Sequence, residues 1–288
     1  MNRKLKKIYT PVSQPGFLGA GHTATAVLPL NYTETDPFLL LMDDVLDKKD
    51  DIPVGGPHPH AGFETVSLLL EGEIGDGKHS MKAGDFQVMT AGSGIVHTET
   101  IQKRSTMRLL QMWLNLPREN RWTAPRLQDL PFKDVPLYTE EGVDIRVYSG
   151  TLKGITSPVL NFVPLIVGDV KLKNNTLTRL DIPANYTAFI YVLDGEVRVG
   201  ETIDAISHGQ VGWFERGKTS GDTELTFSTS SRGSRFVLYA AAPQKEEIIS
   251  HGPFIGNTQE DIIRLYRDYR EGKMKHVTLL PEEQLFVW

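Results

Sequence analysis

Hydrophobic and polar positions alternate in short runs along most of this chain. Segments rich in valine, isoleucine, leucine, phenylalanine and tyrosine recur between glycine-bearing turns, at residues 38–42, 64–70, 86–89, 107–116, 145–148, 189–193, 211–214 and 235–241. Short strands separated by turn signals at this spacing are typical of β-sandwiches and β-barrels. The pattern therefore predicts an all-β protein.

One segment near the C-terminus has a helical pattern instead. Asn257 is followed three residues later by Glu260, which is the spacing of a capping box, and Gly272 has the position of a helix stop. The apolar face between them consists of Ile262, Ile263, Leu265, Tyr266 and Tyr269. The sequence therefore predicts a single short C-terminal helix.

A weak internal repeat and a proline-rich stretch indicate two related domains. The sequence LLEGE at 69–73 is echoed by VLDGE at 192–196, and a glycine-led strand start follows each, at Gly84 and Gly209. Residues 117–136 carry four prolines in a polar stretch, as connections between domains often do. We predict duplicated β-barrels, with an N-terminal domain at 1–130 and a C-terminal domain at 131–288.

Composition narrows the chemistry. A chain of 288 residues can bury a sizeable core, and the absence of cysteine excludes disulfide scaffolds, zinc–thiolate sites, iron–sulfur clusters and thiol catalysis. A net charge of −5 leaves no basic surplus for phosphates, so a direct nucleic-acid partner is not expected. No apolar run approaches the ~18 residues of a membrane span. We expect a cytoplasmic protein, in which any metal must bind to His, Asp or Glu.

Two pairs of residues, one His–His and one His–Glu, have the spacing of metal ligands. His58 and His60 lie at i and i+2, on one face of an extended strand, and Glu64 shares that face if the strand is unbroken. His97 and Glu99 repeat the i, i+2 spacing. If both strands face one barrel interior, three imidazoles and a carboxylate converge with positions left open, a ligand set that suits Fe(II) and other first-row divalent ions.

The remaining acidic and histidine residues are harder to assign. Glu64 has three interpretations: a ligand, a residue that orients a ligand, or a side chain that points elsewhere if a bulge intervenes. A lone histidine is more often an ordinary hydrogen-bonded residue than a ligand. We interpret five histidines in that way: His22, His79, His208, His251 and His276.

These motifs resemble the pirin family of the cupin superfamily. The resemblance is carried by HPHAGFETV at 58–66, LEG at 70–72 and GDFQVMTAGSGIVHTE at 84–99, with shorter matches at 113–117, 125–126, 251–254 and 257–258. It implies a bicupin: two face-to-face double-stranded β-helix (jelly-roll) barrels. It also implies one iron in the N-terminal barrel, bound through His58, His60, His97 and Glu99, with Glu64 not a ligand.

The chain departs from the family pattern in two places. Ala61 stands where pirins commonly have arginine, and the turn at 73–81 looks short, so the pocket entrance and the choice of substrate are expected to differ. The second half of the chain lacks the ligands. Aligning the repeat puts Asp181, Pro183 and Thr187 where His58, His60 and Glu64 stand, which predicts a C-terminal barrel without a metal site.

The resemblance implies two kinds of function, because the family includes proteins with quercetin 2,3-dioxygenase activity and iron-dependent transcriptional co-regulators. Our leading hypothesis is an Fe(II)-dependent dioxygenase that acts with O2 on flavonol-like, enolisable aromatic substrates, with Glu99 or Glu64 accepting the proton of the substrate hydroxyl. The alternative is an iron-dependent binding or redox-sensing protein that acts through a protein partner. A third hypothesis is an enzyme for an unidentified metabolite, with quercetin turnover as a side reaction.

Overall fold

Antiparallel strands make up most of the structure, as the alternating pattern predicts. The structure is a computed structural model that describes residues 2–29, 31–75, 79–201, 204–218 and 220–288. The chain divides into two compact units. The first unit comprises Val12–Asp134 and Gln244–Trp288, and the second comprises Met1–Pro11 and Val135–Pro243.

This division differs from the predicted domains 1–130 and 131–288 at both ends of the chain. The crossing between units lies at residues 134 and 135, close to the predicted boundary. The N-terminal strand, however, belongs to the second unit, and the C-terminal 45 residues belong to the first. Strand pairing explains the difference, because hydrogen bonds to a distant strand are not visible in local sequence patterns.

The first unit is built on one large sheet and several short strand pairs. The strands of the unit are β2 (Ser13–Pro15), β3 (His22–Ala26), β4 (Phe38–Lys48), β5 (His58–His60), β6 (Phe63–Glu71), β7 (Glu73–Ile74), β8 (Met81–Lys82), β9 (Phe86–Thr90), β10 (Ile95–His97), β11 (Ser105–Asn115), β12 (Arg126–Leu130), β24 (Ile249–His251), β25 (Phe254–Gly256) and β26 (Leu285–Val287). Eight of them form the large sheet, in the order β2-β3-β4-β11-β6-β9-β12-β26. Its described residues also form two helices, α1 (Tyr32–Thr35) and α2 (Gln259–Arg270), and 3₁₀ turns at Phe132–Asp134, Val277–Leu279 and Glu282–Gln284.

The second unit is built on one ten-stranded sheet and a short strand pair. The strands of the unit are β1 (Leu5–Tyr9), β13 (Leu137–Glu140), β14 (Val143–Ser149), β15 (Thr151–Leu152), β16 (Ile155–Thr156), β17 (Leu165–Leu172), β18 (Leu177–Pro183), β19 (Thr187–Val199), β20 (Ala205–Ser207), β21 (Val211–Phe214), β22 (Asp222–Ser228) and β23 (Ser234–Ala241). The central path of the sheet is β1-β21-β19-β23-β17-β14-β13.

The internal repeat corresponds to equivalent positions in the two units. Gly72 and Gly195 both have positive φ, and a Cβ at either would lie within 2.2 Å of a backbone carbonyl oxygen. The backbone N–H of Gly84 donates to Leu69, as that of Gly209 donates to Val192, at 2.7 and 2.8 Å. The echo in the sequence is thus a structural repeat, fixed by glycines where two chain segments approach closely.

The predicted C-terminal helix is present, but its cap lies one residue later than predicted. Thr258, rather than Asn257, is the N-cap: its hydroxyl accepts from the Asp261 backbone N–H at 3.2 Å, and the Asp261 carboxylate accepts from Thr258 at 3.1 Å. The helix buries Ile262 and Leu265 in the first unit, in a cluster with Ala61 and other apolar side chains. No helix among the described residues is long and apolar enough to cross a membrane.

Candidate metal centre

Three histidines converge at one end of the first unit. Strands β5 and β10 pair antiparallel, with His97 directly opposite His58 and Ile95 opposite His60. Side chains of directly opposed residues share a face, so both i, i+2 positions of β5 face His97. The ring centroids lie 4.3 to 4.9 Å apart, and one ligand atom from each ring lies within 4.8 Å of the other two. The predicted convergence of the three imidazoles is confirmed.

The nitrogens of this cluster are poorly satisfied by the protein. His60 and His97 are 3% and 5% exposed, yet neither ring nitrogen of His60, nor Nε2 of His97, makes a hydrogen bond of good geometry with the residues that the structure describes. Buried polar atoms without partners are costly and rare. In contrast, His58 donates from Nδ1 to the Gly56 carbonyl at 2.9 Å, which leaves Nε2 with the lone pair. The residues therefore fit a bound divalent cation.

Electrostatics keep the cluster in the form that binds metal. Burial, reinforced by the neighbouring His58, lowers the pKa of His60 to about 3. Burial, with His60 and His58 close by, also places the pKa of His97 well below its ordinary value. Both imidazoles are therefore neutral at physiological pH, and neutral imidazole is the metal-ligating form.

Glu99 lies beside the cluster but outside it. Its carboxylate is not among the mutually close ligand atoms of His58, His60 and His97; instead, Oε1 accepts a hydrogen bond from the Gln111 amide at 2.6 Å. Burial, with a smaller contribution from Asp44, raises the pKa of Glu99 to about 7. A carboxyl group with this pKa exchanges protons readily near neutrality.

Glu64 does not lie on the histidine face, because the strand is broken. Gly62 separates β5 from β6 with a φ of +87°, and a Cβ there would lie 2.0 Å from the Ile255 carbonyl oxygen. Phe63 contacts His60, so the next residue, Glu64, points to the opposite face of β6. The sequence placed Glu64 on the same face as His58 and His60 only if the strand was unbroken. The strand is broken at Gly62, so Glu64 does not share that face.

On that opposite face, Glu64 is held by protein groups. Its Oε1 accepts from the Thr90 hydroxyl at 2.6 Å and lies 3.8 Å from Arg126. Thr90 pairs with both residues across neighbouring strands, which aligns the three side chains in one row. Complete burial raises the pKa of Glu64 despite these partners. The contacts indicate a buried structural carboxyl group.

A small cavity adjoins the cluster. His97 and Glu99 line it together with Met89, Leu127 and His79. Its volume of about 20 Å³ accommodates roughly one water-sized molecule. The cavity gives a diatomic or a single functional group access to the side of the cluster, whereas a whole flavonol does not fit inside it.

The structure describes Ala61, the first departure from the family pattern, fully and the turn at 73–81, the second, only in part. Ala61 is fully buried against Phe254 and Met274, and its backbone carbonyl accepts from Ile255 at 3.0 Å, so position 61 here is part of the packing under the C-terminal helix. The turn at 73–81 is described only at its flanks, where β7 pairs with β8; residues 76–78 lie outside the described residues.

In the second unit, the segment aligned with β5 contributes apolar side chains to the core from positions next to the aligned ones. The positions aligned with His58 and His60, Asp181 and Pro183, are not part of the core. Their neighbours Leu180 and Ile182 are fully buried and belong to one continuous apolar cluster. Among the described residues, the three histidines of the first unit are the one group of potential ligands that meets at a point.

Fold and site together define a bicupin with a candidate metal centre in its first unit. Family models for pirin and for the pirin C-terminal cupin domain match residues 23–114 and 167–275. Mouse pirin is 37% identical over 252 residues, covering 83% of this chain and 82% of the mouse protein. The chain belongs to the pirin family.

Solved structures extend the comparison. A quercetin 2,3-dioxygenase from Acinetobacter baumannii superposes with a TM-score of 0.83 at 28% identity, covering 96% of this chain and 100% of that one. The bacterial pirin YhhW from Escherichia coli, solved in complex with nickel(II), has a TM-score of 0.62 at 20% identity, covering 82% and 99% of the two chains. The second likeness supports the fold alone.

Sequence reasoning missed several side chains that surround the cluster. Gln111 and Trp113 lie on one face of β11, where Gln111 donates to Glu99 and the Trp113 ring lies 5.1 Å from His60. A glutamine inside an apolar strand was the available signal. His79 also lines the cavity, although the sequence predicted an ordinary role for it. The other histidines with that prediction are hydrogen-bonded to protein groups: His22, His208, His251 and His276.

Proposed function

We propose that this protein is a cytoplasmic, Fe(II)-dependent dioxygenase of quercetin-like flavonols or other enolisable aromatics. The observation that carries the proposal is the convergence of three imidazoles, of which His60 and His97 are buried and have ring nitrogens short of protein partners. The similarity to a quercetin 2,3-dioxygenase at 28% identity over nearly the whole chain supports the choice of reaction. Iron is proposed over other first-row metals because a redox-active ion suits oxygen chemistry.

Four side chains would hold the ion in this proposal: His58, His60, His97 and, as the fourth, Glu99. For Glu99 to ligate, its carboxylate has to shift toward the imidazoles while the Gln111 amide continues to hold Oε1, which is a local side-chain movement next to the cavity. When bound, the ion supplies a positive charge that stabilises a deprotonated substrate hydroxyl and positions at which substrate and oxygen meet.

The chain contributes orientation and exclusion of water. Phe63 and Trp113 stack at 4.2 Å between centroids and contact His60, which fixes the ring and shields one side of the site with apolar surface. Glu99 is the carboxyl group of the cavity with a pKa near neutrality, so it can accept a hydroxyl proton whenever it is not bound to the ion.

Oxygen uptake tests the proposal. Protein stripped of metal and reloaded anaerobically with Fe(II) is given quercetin, beside the stripped protein and beside protein reloaded with Zn(II). We expect uptake with the iron protein only. Protein shown to hold one iron that consumes no oxygen above the stripped control would contradict the enzymatic proposal.

The small cavity favours a second candidate function, an iron-dependent binding or redox-sensing protein. A volume of about 20 Å³ does not enclose a flavonol without rearrangement, so iron could act by altering a surface that a protein partner recognises. Hydrogen exchange of the Fe(II) and Fe(III) forms tests this idea. We expect a redox-dependent change in protection on the surface of the first unit, and identical protection in both states would contradict it.

A further inference from the structure

His79, which lines the cavity beside the candidate metal centre, is paired with Asp129. His79 Nδ1 lies 3.2 Å from Asp129 Oδ2, with side chains 13% and 21% exposed. A carboxylate can only accept, so Nδ1 carries the proton and Nε2 carries the lone pair of the neutral ring. Nε2 makes no hydrogen bond with the part of the chain that the structure describes.

Strand pairing holds this pair in place. Asp129 on β12 lies directly opposite Gln87 on β9, and the Gln87 amide donates to Asp129 Oδ1 at 2.7 Å. Both oxygens of the carboxylate are therefore occupied, one by Gln87 and one by His79. A base whose ring is oriented by a fixed carboxylate has the arrangement used in general-base catalysis.

The cavity connects this pair to the histidine cluster. His79, Gln87, His97 and Glu99 all line the same space of about 20 Å³. The wall around a group held in that space therefore includes both His79 and side chains of the candidate metal centre. The cavity is small enough that a single hydroxyl group would fill it.

We propose that His79, oriented by Asp129, is the general base that accepts the hydroxyl proton of the substrate at this centre. The inference rests on the proposed dioxygenase function and goes beyond it by assigning the proton acceptor. A carboxylate that ligates a cation gives up basicity to the ion, so Glu99 acting as a ligand leaves the proton to another group. His79 is that group.

The step balances without a further reactant. The O–H bond of the substrate hydroxyl breaks, its electron pair stays on oxygen, and a new N–H bond forms at His79 Nε2. The imidazolium is stabilised by the Asp129 carboxylate at Nδ1. After ring cleavage, the proton passes to the product or to water and restores the neutral ring.

Three variants test the assignment: H79Q, D129N and, as a matched control in the second unit, H208Q. Each is reloaded anaerobically with Fe(II), and iron content and the midpoint of thermal unfolding establish that it is folded and loaded. Oxygen uptake with quercetin gives kcat and KM. A separate anaerobic titration with quercetin measures, by absorbance, how much of the bound flavonol is the anion, which absorbs at longer wavelength than the neutral form.

We expect H79Q to lower kcat by about 100-fold or more, the usual contribution of a general base, with KM and iron content close to wild type. D129N should lower kcat by a smaller factor, and H208Q should leave kcat unchanged. The anion band should be reduced in H79Q under anaerobic conditions. A merely structural role for His79 would not move that band at unchanged iron content.

The two proposals fail in different ways. Wild-type kcat and a wild-type anion band in H79Q would overturn the role of His79 while leaving the dioxygenase proposal intact. Iron-loaded wild type that binds quercetin without oxidising it would contradict the enzymatic proposal, and the anion band would still decide whether His79 takes the proton. Iron-loaded wild type that does not bind quercetin would overturn both.

Discussion

Corresponding strands of the two units carry different kinds of side chain. In the first unit, β5 and β10 form three residue pairs and carry His58, His60 and His97. In the second unit, the corresponding strands β18 and β22 form seven residue pairs, and Leu180, Ile182, Leu225 and Phe227 from these strands lie in the apolar core.

This difference shows what a metal centre costs the fold that holds it. Buried imidazole nitrogens without partners lower the stability of the metal-free protein, whereas Leu180 and Ile182 gain free energy from burial alone. The first unit therefore depends on a ligand to satisfy its histidines. The second unit has no such requirement, and its continuous core gives it stability independent of metal.

The largest expected effect is on metal retention, through H97A. His97 is opposite His58 at the centre of the cluster, and each ligand of a four-ligand site contributes a few kcal/mol, so we expect affinity to fall on the order of 1000-fold. Metal content after dialysis against a chelator measures this, with H208Q as the control. Stoichiometric metal in H97A would contradict the assignment of the site.

The next prediction concerns the stability of the second unit. Phe227 is fully buried and packs on Phe236 at 4.7 Å, so F227A should lower the free energy of unfolding by about 3–5 kcal/mol. Denaturant melts measure this, and F17A, at a position 86% exposed, is the control. Metal affinity should not change in F227A, and a large loss of affinity would show that the two units are not independent in this respect.

Protonation of the unfolded chain at His60 should lower the stability of the metal-free first unit as the pH falls. The pKa of His60 is about 3 in the folded state and near 6.5 when unfolded, so below pH 6.5 the unfolded chain binds a proton that the folded chain does not. Between pH 6.5 and 5, this costs roughly 2 kcal/mol. Glu99 acts in the opposite direction, because its raised pKa favours proton uptake by the folded state.

The variant H60Q isolates the contribution of His60. Metal-free H60Q should lose about 2 kcal/mol less than metal-free wild type between pH 7 and pH 5, by denaturant melts at each pH. Wild type reloaded with metal at pH 7 should also resist acidification better than the stripped protein. Parallel pH profiles for stripped wild type and H60Q would contradict the buried, neutral imidazole.

The smallest effect should come from the support of Glu99. If Glu99 is the fourth ligand, as proposed, Q111L removes the group that holds its carboxylate, and loss of a residue that orients a ligand typically costs about 10-fold in metal affinity. Competition with a chelator measures this. The control is Q14L at an exposed strand position. Unchanged affinity in Q111L would indicate that Glu99 does not need this hydrogen bond to serve the site.

The sequence by itself determined the local parts of this protein. Strand alternation, the two H-x-[HE] pairs and the repeat around Gly72 and Gly195 depend on neighbours within a few residues, so the all-β class, the three converging imidazoles and the duplicated units could all be predicted.

Tertiary structure decided what depends on distant strands. The break at Gly62 turned Glu64 to the other face, where Thr90 and Arg126 hold it. The pairing of β9 with β12 places Asp129 beside Gln87, and His79 hydrogen-bonds to the same Asp129 carboxylate. Local sequence patterns do not distinguish His79 from the other lone histidines. For the same reason, the N-terminal strand belongs to the second unit and the C-terminal segment to the first. Burial and hydrogen bonding across the whole sheet determine which strands pair, and short-range sequence patterns do not reveal it.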